Sequence, residues 1–68
     1  MITIKNKIAE LRKIRGITQK ELADELSVSR QTIISLENGK YNPSITLAYK
    51  VAVIFGKTIE EVFLFEEE

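Results

Sequence analysis

Apolar residues in this chain recur at three- and four-residue spacing in short runs, and polar or glycine-bearing breaks separate the runs. That pattern predicts short amphipathic helices. It is clearest from Ile17 to Lys40, ITQKELADELSVSRQTIISLENGK, where one helix is expected from about Gln19 to Leu26 and another from about Arg30 to Glu37. Thr18 followed by Glu21 predicts a capping box: the threonine oxygen takes an orphan first-turn amide and the glutamate reaches back to the backbone. Ser29 is placed to cap the next helix in a similar way. Leu22, Ala23, Leu26, Val28, Ile33 and Leu36 fall where two steeply crossing helices need apolar contacts, with the small alanine at the closest approach. The pair is a helix-turn-helix.

Three further helices flank it. One is expected from about Asn6 to Arg15, with Ile8 and Leu11 inward, Lys13 and Arg15 in the favourable last turn, and Gly16 ending it in a left-handed conformation. After a loop through Tyr41, Asn42 and Pro43, Ser44 caps a fourth helix. There Leu47, Val51 and Phe55 recur beside Ala48 and Ala52 until Gly56. Thr58 with Glu61 forms a second capping box that opens a short fifth helix burying Ile59 and Val62. The two ends are less helical, since Ile2-Thr3-Ile4 alternates and Phe63-Leu64-Phe65 favours extended chain. They form either a small antiparallel ribbon or a frayed amino terminus and a last helical turn. The expectation is an all-α, five-helix fold in a single domain over residues 1–68.

Sixty-eight residues leave room for a small core only, because short chains bury a smaller share of their surface. With no cysteine and no histidine, disulfides, thiolate nucleophiles, sulfur or imidazole metal sites and the commonest general base are excluded. No metal, cofactor or small-molecule ligand is expected. The opening residues lack a signal-peptide pattern, and no apolar run approaches the roughly 18 residues of a membrane span. A soluble cytoplasmic protein without membrane contact is expected.

Formal net charge is zero and the pI about 6.3, which alone argues against a nucleic-acid partner. The distribution is uneven. Residues 1–50 carry nine cations (Lys5, Lys7, Arg12, Lys13, Arg15, Lys20, Arg30, Lys40, Lys50) against five anions (Glu10, Glu21, Asp24, Glu25, Glu37), a net +4. Residues 51–68 carry Lys57 against Glu60, Glu61, Glu66, Glu67 and Glu68, a net −4. A dipolar molecule can turn its positive end to a phosphate backbone, so the balance permits DNA binding without demanding it. Ordinary solvated faces would account for the charges equally well.

Advancing about 100° per residue from Ser29 puts Ile33 and Leu36 within about 40° of the inward direction. Arg30, Gln31, Ile34, Ser35 and Asn38 then face away. Arginine suits the paired acceptors of guanine, glutamine the donor and acceptor of adenine, and serine either base. An isoleucine suits the methyl of thymine. Gln19 sits at the amino end of its helix, where the dipole favours an anion. Thr32, Asn38, Lys40 and Asn42 lie beside the same face, placed to touch phosphates. Taken singly, Arg30, Gln31 and Lys40 also read as ordinary solvent-facing residues, and a small error in rotation would tuck Ile34 against Tyr41.

Leu11-Arg12, Gly16-Ile17-Thr18-Gln19, Glu21-Leu22-Ala23, Val28-Ser29-Arg30-Gln31-Thr32-Ile33, Leu36-Glu37-Asn38-Gly39-Lys40 and Asn42-Pro43-Ser44 together resemble the phage repressor and Cro-like, or XRE-like, helix-turn-helix regulators. The match spans roughly Asn6 to Phe65. The resemblance implies a five-helix lambda-repressor-like DNA-binding domain, homodimers on palindromic operators, and repression of transcription. It implies that Gln19, Thr32, Asn38 and Lys40 touch phosphates while Arg30, Gln31 and Ser35 face bases. Short relatives of this shape also resemble proteins whose ends form a two-stranded ribbon. The family pair Arg12 and Glu37 has a physical reading as a partly buried guanidinium and carboxylate.

Three positions depart from the family pattern. Ser27 stands where many relatives carry glycine in the interhelical turn. Ser35 replaces a longer side chain, so a water-mediated base contact is as plausible as a direct one. Val53 takes a place that is often polar, and with Ile59, Phe63 and Phe65 it predicts an apolar patch that a second copy covers through the fifth helix and carboxyl end. Two other classes compete with a DNA-binding regulator. One is an antitoxin-like module binding a partner protein through its acidic end. The other is an enzyme using Glu60, Glu61 or the terminal glutamates, which is disfavoured because those residues lie on an exposed turn and tail with no evident pocket.

Overall fold

The computed structural model describes residues 2–67, with side chains described from Ile4 to Phe65. The terminal carboxylates Glu66, Glu67 and Glu68 lie outside the described side chains. The elements run β1 (Ile2–Asn6), α1 (Ile8–Arg15), α2 (Gln19–Leu26), α3 (Arg30–Glu37), α4 (Ile45–Ile54), α5 (Ile59–Val62) and β2 (Phe63–Glu67). The two ends pair antiparallel, with Ile4 opposite Phe65 and Asn6 opposite Phe63. Of the two alternatives for the termini, the ribbon is the one that forms.

Capping chemistry sets the helix starts. Thr18 Oγ1 accepts the Glu21 amide at 3.0 Å while Glu21 Oε1 accepts the Thr18 amide at 2.9 Å. Thr58 and Glu61 repeat the arrangement at α5, and Ser29 and Ser44 cap α3 and α4 through the amides of Thr32 and Leu47. The first helix departs from expectation by starting at Ile8, because Asn6 belongs to β1 and its carboxamide oxygen takes the Ile8 amide.

One apolar cluster holds the five helices together. Ile8, Leu22, Ile33, Leu36, Val51 and Val62 are its largest fully buried side chains, with Ala23, Ala48 and Ala52 at close approaches. Burying each large aliphatic side chain contributes about 1.5–3 kcal/mol against leaving it in water, which is the main favourable term in a chain without cross-links. Phe63 joins this core at 2 % exposure, so it is not part of an exposed patch as its neighbours suggested. The physical reason is the ribbon. Phe63 follows α5 directly and pairs with Asn6, which keeps it against the helices beside the buried Val62 and Ile8, whereas Leu64 and Phe65 farther along β2 are exposed.

Candidate nucleic-acid interface

The turn between α2 and α3 closes with the Ser27 amide on Asp24 O at 3.2 Å and the Val28 amide on Ala23 O at 3.0 Å. Ser27 sits in the left-handed region at φ 57°, and it is the one non-glycine residue there among the described residues. This short turn brings α3 across α2 with Ile33 and Leu36 completely buried against the core. Their burial sets the rotation of the helix. Arg30 and Gln31 are exposed at its amino end, and Asn38, Lys40 and Asn42 are exposed in the chain that follows. Ser35, Thr32 and Gln19 are half-buried.

Ile34 is half-buried as well, and not fully exposed as its position on the helical wheel predicts. A helical wheel gives the direction of a side chain and not its accessibility, and Ile34 keeps an exposed edge while it stays outside the core cluster. Thr32 is also partly engaged, its Oγ1 lying 2.9 Å from Ser29 Oγ.

The predicted ion pair is present. Arg12 Nε donates to Glu37 Oε2 at 2.8 Å, with side-chain exposures of 13 % and 7 %. Arg12 Nη1 also donates to Ile17 O at 3.0 Å, so one guanidinium joins α1 to the end of α3 and to the start of the helix-turn-helix. Gln19 lies on the same network, which sequence reasoning missed. Its Nε2 donates to Glu37 Oε1 at 3.0 Å and its Oε1 accepts Arg30 Nη2 at 3.4 Å. The chain of contacts thus runs from the buried pair to the exposed guanidinium at the amino end of α3.

A shallow groove follows this line, flanked by Arg12, Thr18, Gln19, Lys20 and Arg30. Lys20 is itself paired with Asp24 at 3.0 Å, but both side chains are largely exposed, so the pair is screened and weak. The groove lies at the amino end of α2, where first-turn amides and the helix dipole favour an anion. Chemically the surface offers donors and a positive edge. Among the described residues no group of three or more acidic, cysteine or histidine side chains is placed to hold a metal ion. Among the described residues no helix is long and apolar enough to cross a membrane.

Other connections had no local signal. Asn6 Nδ2 donates to Leu36 O at 2.7 Å, tying β1 to the end of α3. Arg15 donates to Ile54 O and lies 5.8 Å from the Phe55 ring centroid, which fastens the end of α1 to the end of α4.

The four interface positions expected from sequence do not share one environment. Val53 and Phe65 are exposed, Ile59 is half-buried and Phe63 is in the core. Ile45 and Tyr49 are exposed beside Val53 on α4, at i, i+4 and i+8. Phe65 borders an apolar groove with Ile4, Pro43, Ile45, Ile59 and Phe63.

Two short helices joined by a tight turn, the second buried on one side and polar on the other, define a helix-turn-helix DNA-binding module. A family model described as helix-turn-helix matches residues 8–62, and the chain belongs to this family, whose XRE and Cro-like members are DNA-binding transcriptional regulators. It is 49 % identical over 65 residues to an uncharacterized HTH-type transcriptional regulator of Methanocaldococcus jannaschii, covering 96 % of this chain and 98 % of that one. It is 32 % identical over 72 residues to the immunity repressor protein of Bacillus phage phi105, covering 98 % of this chain and 50 % of the relative. Similarity extends to the HTH-type transcriptional activator BcrR of Enterococcus faecalis, 36 % identical over 61 residues, covering 90 % of this chain and 30 % of that protein.

Proposed function

We propose that the chain binds double-stranded DNA sequence-specifically as a homodimer on a palindromic operator and represses transcription there. The observation that carries this reading is the orientation of α3: Ile33 and Leu36 are sealed in the core while Arg30 and Gln31 stand exposed at its amino end. In this reading Arg30 forks onto guanine, Gln31 pairs with adenine, and Ser35 and the exposed edge of Ile34 complete the contact with bases. Gln19, Thr32, Asn38, Lys40 and Asn42 engage phosphates, which supply most of the affinity and none of the sequence information. The immunity repressor among the relatives supports repression as the outcome.

A protomer offers one such helix, so two copies would set two of them in successive major grooves roughly 34 Å apart, on half-sites related by a dyad. Val53, Ile59 and Phe65 are the proposed contacts between them, with Phe63 contributing from the groove floor and not from an exposed ring. Ile45, 80 % exposed, projects beside that same groove. An isologous two-fold contact buries the same patch on both copies, and Ile45 and the groove lie on one patch.

Selection of binding sites from random duplex DNA, followed by salt titration, tests the proposal. A dyad-symmetric site with steep salt dependence is expected. Failure to enrich any site, together with recovery of a protein that binds the acidic carboxyl end, would replace it with the antitoxin-like reading.

A further inference from the structure

Asn6 is the last residue of β1, paired across the ribbon with Phe63; it is half-buried at the edge of a shallow cleft that it shares with Glu37, Asn38 and Gly39, and its two side-chain hydrogen bonds both go to backbone atoms. It bridges two backbones. Oδ1 accepts the Ile8 amide at 3.1 Å, capping α1 where Lys7 supplies no side-chain cap. Nδ2 donates to Leu36 O at 2.7 Å, one residue from the end of α3. One partner is a donor and the other an acceptor, so the side chain must present both on one short rigid plane, which a carboxamide does.

Both ends of this bridge matter. The Leu36 carbonyl also accepts the Gly39 amide at 3.0 Å, and the Lys40 amide closes on Ser35 O at 2.9 Å. That turn presents Asn38 and Lys40, and Asn6 holds its base. On the other side, the Lys7 amide donates to Val62 O at 2.9 Å, so the end of α5 fixes the backbone next to Asn6. Helix α3 spans only eight residues, about 12 Å, and Asn6 holds the backbone of its last turn on the ribbon side, while Arg12 and Gln19 hold the Glu37 side chain on the side of α1 and α2, so the tilt of α3 depends on both attachments.

We propose that Asn6 is a positioning residue for DNA recognition, setting the tilt of α3 and linking it to the terminal ribbon. The inference rests on the proposed function and deepens it. The ribbon carries Phe65 opposite Ile4, two residues along β1 from Asn6, so the strand that pairs with the proposed protomer contact is also the strand that Asn6 ties to the reading helix.

Asn6→Asp separates the two halves of the bridge: it keeps an acceptor for the Ile8 amide and removes the donor to Leu36 O. Asn6→Ala removes both without adding charge. A loss shared by the two variants is then not an effect of charge. Affinity for the selected operator and for random duplex is measured at matched salt, at a temperature where circular dichroism shows native helix. The operator affinity of both variants is expected to fall about tenfold while random-duplex affinity changes little, so the specificity ratio drops. Wild-type specificity in either folded variant overturns the proposal, because a residue serving stability alone would leave that ratio unchanged.

Should neither variant fold, the wild-type side-chain amide of Asn6 decides by nuclear magnetic resonance. Slow exchange and a shift on adding operator but not random duplex support the proposal. Fast exchange overturns it. If the wild-type chain selects no operator, the proposed function fails by itself. The clamp is still tested by hydrogen exchange at the Gly39 and Lys40 amides, which must lose protection in Asn6→Asp.

Discussion

Arg12 and Glu37, on the first helix and at the end of the third, meet through Nε and Oε2 at 2.8 Å with most of both side chains out of water. Glu37 also accepts from Gln19, so the carboxylate joins three helices at one point. Replacing Arg12 with alanine leaves that carboxylate partly buried without its cation. The expected cost is about 3 kcal/mol, a large share of the stability of so small a chain. Arg12→Ala should therefore melt far below the wild type, whereas Arg12→Met with Glu37→Leu should recover much of the loss. A melting temperature unchanged in Arg12→Ala would show that the pair contributes nothing.

Ser27 occupies a left-handed backbone position at φ 57°, where a β-carbon crowds the following carbonyl. Gly39 adopts φ 71° in the turn after α3 without that crowding. Ser27→Gly removes the strain but gives the unfolded chain more freedom, so the net gain is about 0.5–1 kcal/mol. In a domain of this size that is a rise of roughly 2–8 °C in melting temperature. A lower melting temperature would mean that unfolded-state entropy outweighs the relief.

The start of each of the last four helices was legible because Thr18, Ser29, Ser44 and Thr58 cap by chemistry local to a few residues. The inward face of α3 was equally plain, since Ile33 and Leu36 have no other use. The ribbon stayed ambiguous until the ends were seen to pair, because two five-residue strands carry little periodicity. Without the pairing, Phe63 reads like its neighbours Leu64 and Phe65, and only its position opposite Asn6 separates it from the surface. Asn6, Gln19 and Arg15 make their decisive contacts with residues 30, 18 and 39 positions away, and nothing in their neighbours points there.

Glu61 has its pKa held below the ordinary glutamate range, first by the Thr58 amide and then by the Thr58 side chain, with Lys57 and Lys7 adding smaller attractions. A lowered folded-state value means the ionised form favours folding. The contribution is complete at neutral pH and is lost as the pH falls from about 4.3, the unfolded glutamate value, through the lowered one. Glu61→Gln keeps an acceptor for the Thr58 amide but cannot titrate. Its stability should fall less steeply between pH 5 and pH 3 than that of the wild type, as measured by chemical denaturation across that range. Superimposable profiles would remove Glu61 from the acid response.

Arg30 and Lys40 are both exposed cations beside α3, and the proposed roles separate them. A guanidinium forked onto guanine discriminates by about 1–3 kcal/mol at one position, so Arg30→Ala should relax preference there and leave the other positions intact. A phosphate contact carries no sequence information, so Lys40→Ala should weaken all duplexes alike and reduce the salt slope by about 1. Site selection repeated with each variant reads both effects. Uniform weakening by Arg30→Ala would move it from the base-reading group to the phosphate group.

Phe63 and Phe65 stand two residues apart on β2, at 2 % and 59 % exposure, and the difference assigns them opposite fates on mutation. Phe63→Ala opens a cavity in the core and should cost about 3 kcal/mol of stability. Phe65→Glu places a charge where the second protomer is proposed to sit. It should leave the helical spectrum and melting behaviour of the protomer intact while sedimentation shows a monomer. Such a monomer loses the second half-site as an intramolecular binding event, so its operator affinity should fall by at least about a hundredfold although every DNA-contacting residue is untouched. A Phe65→Glu protein that still sediments as a dimer would move the interface away from the ribbon, toward exposed apolar side chains elsewhere, such as Ile14 on α1 or Tyr49 on α4.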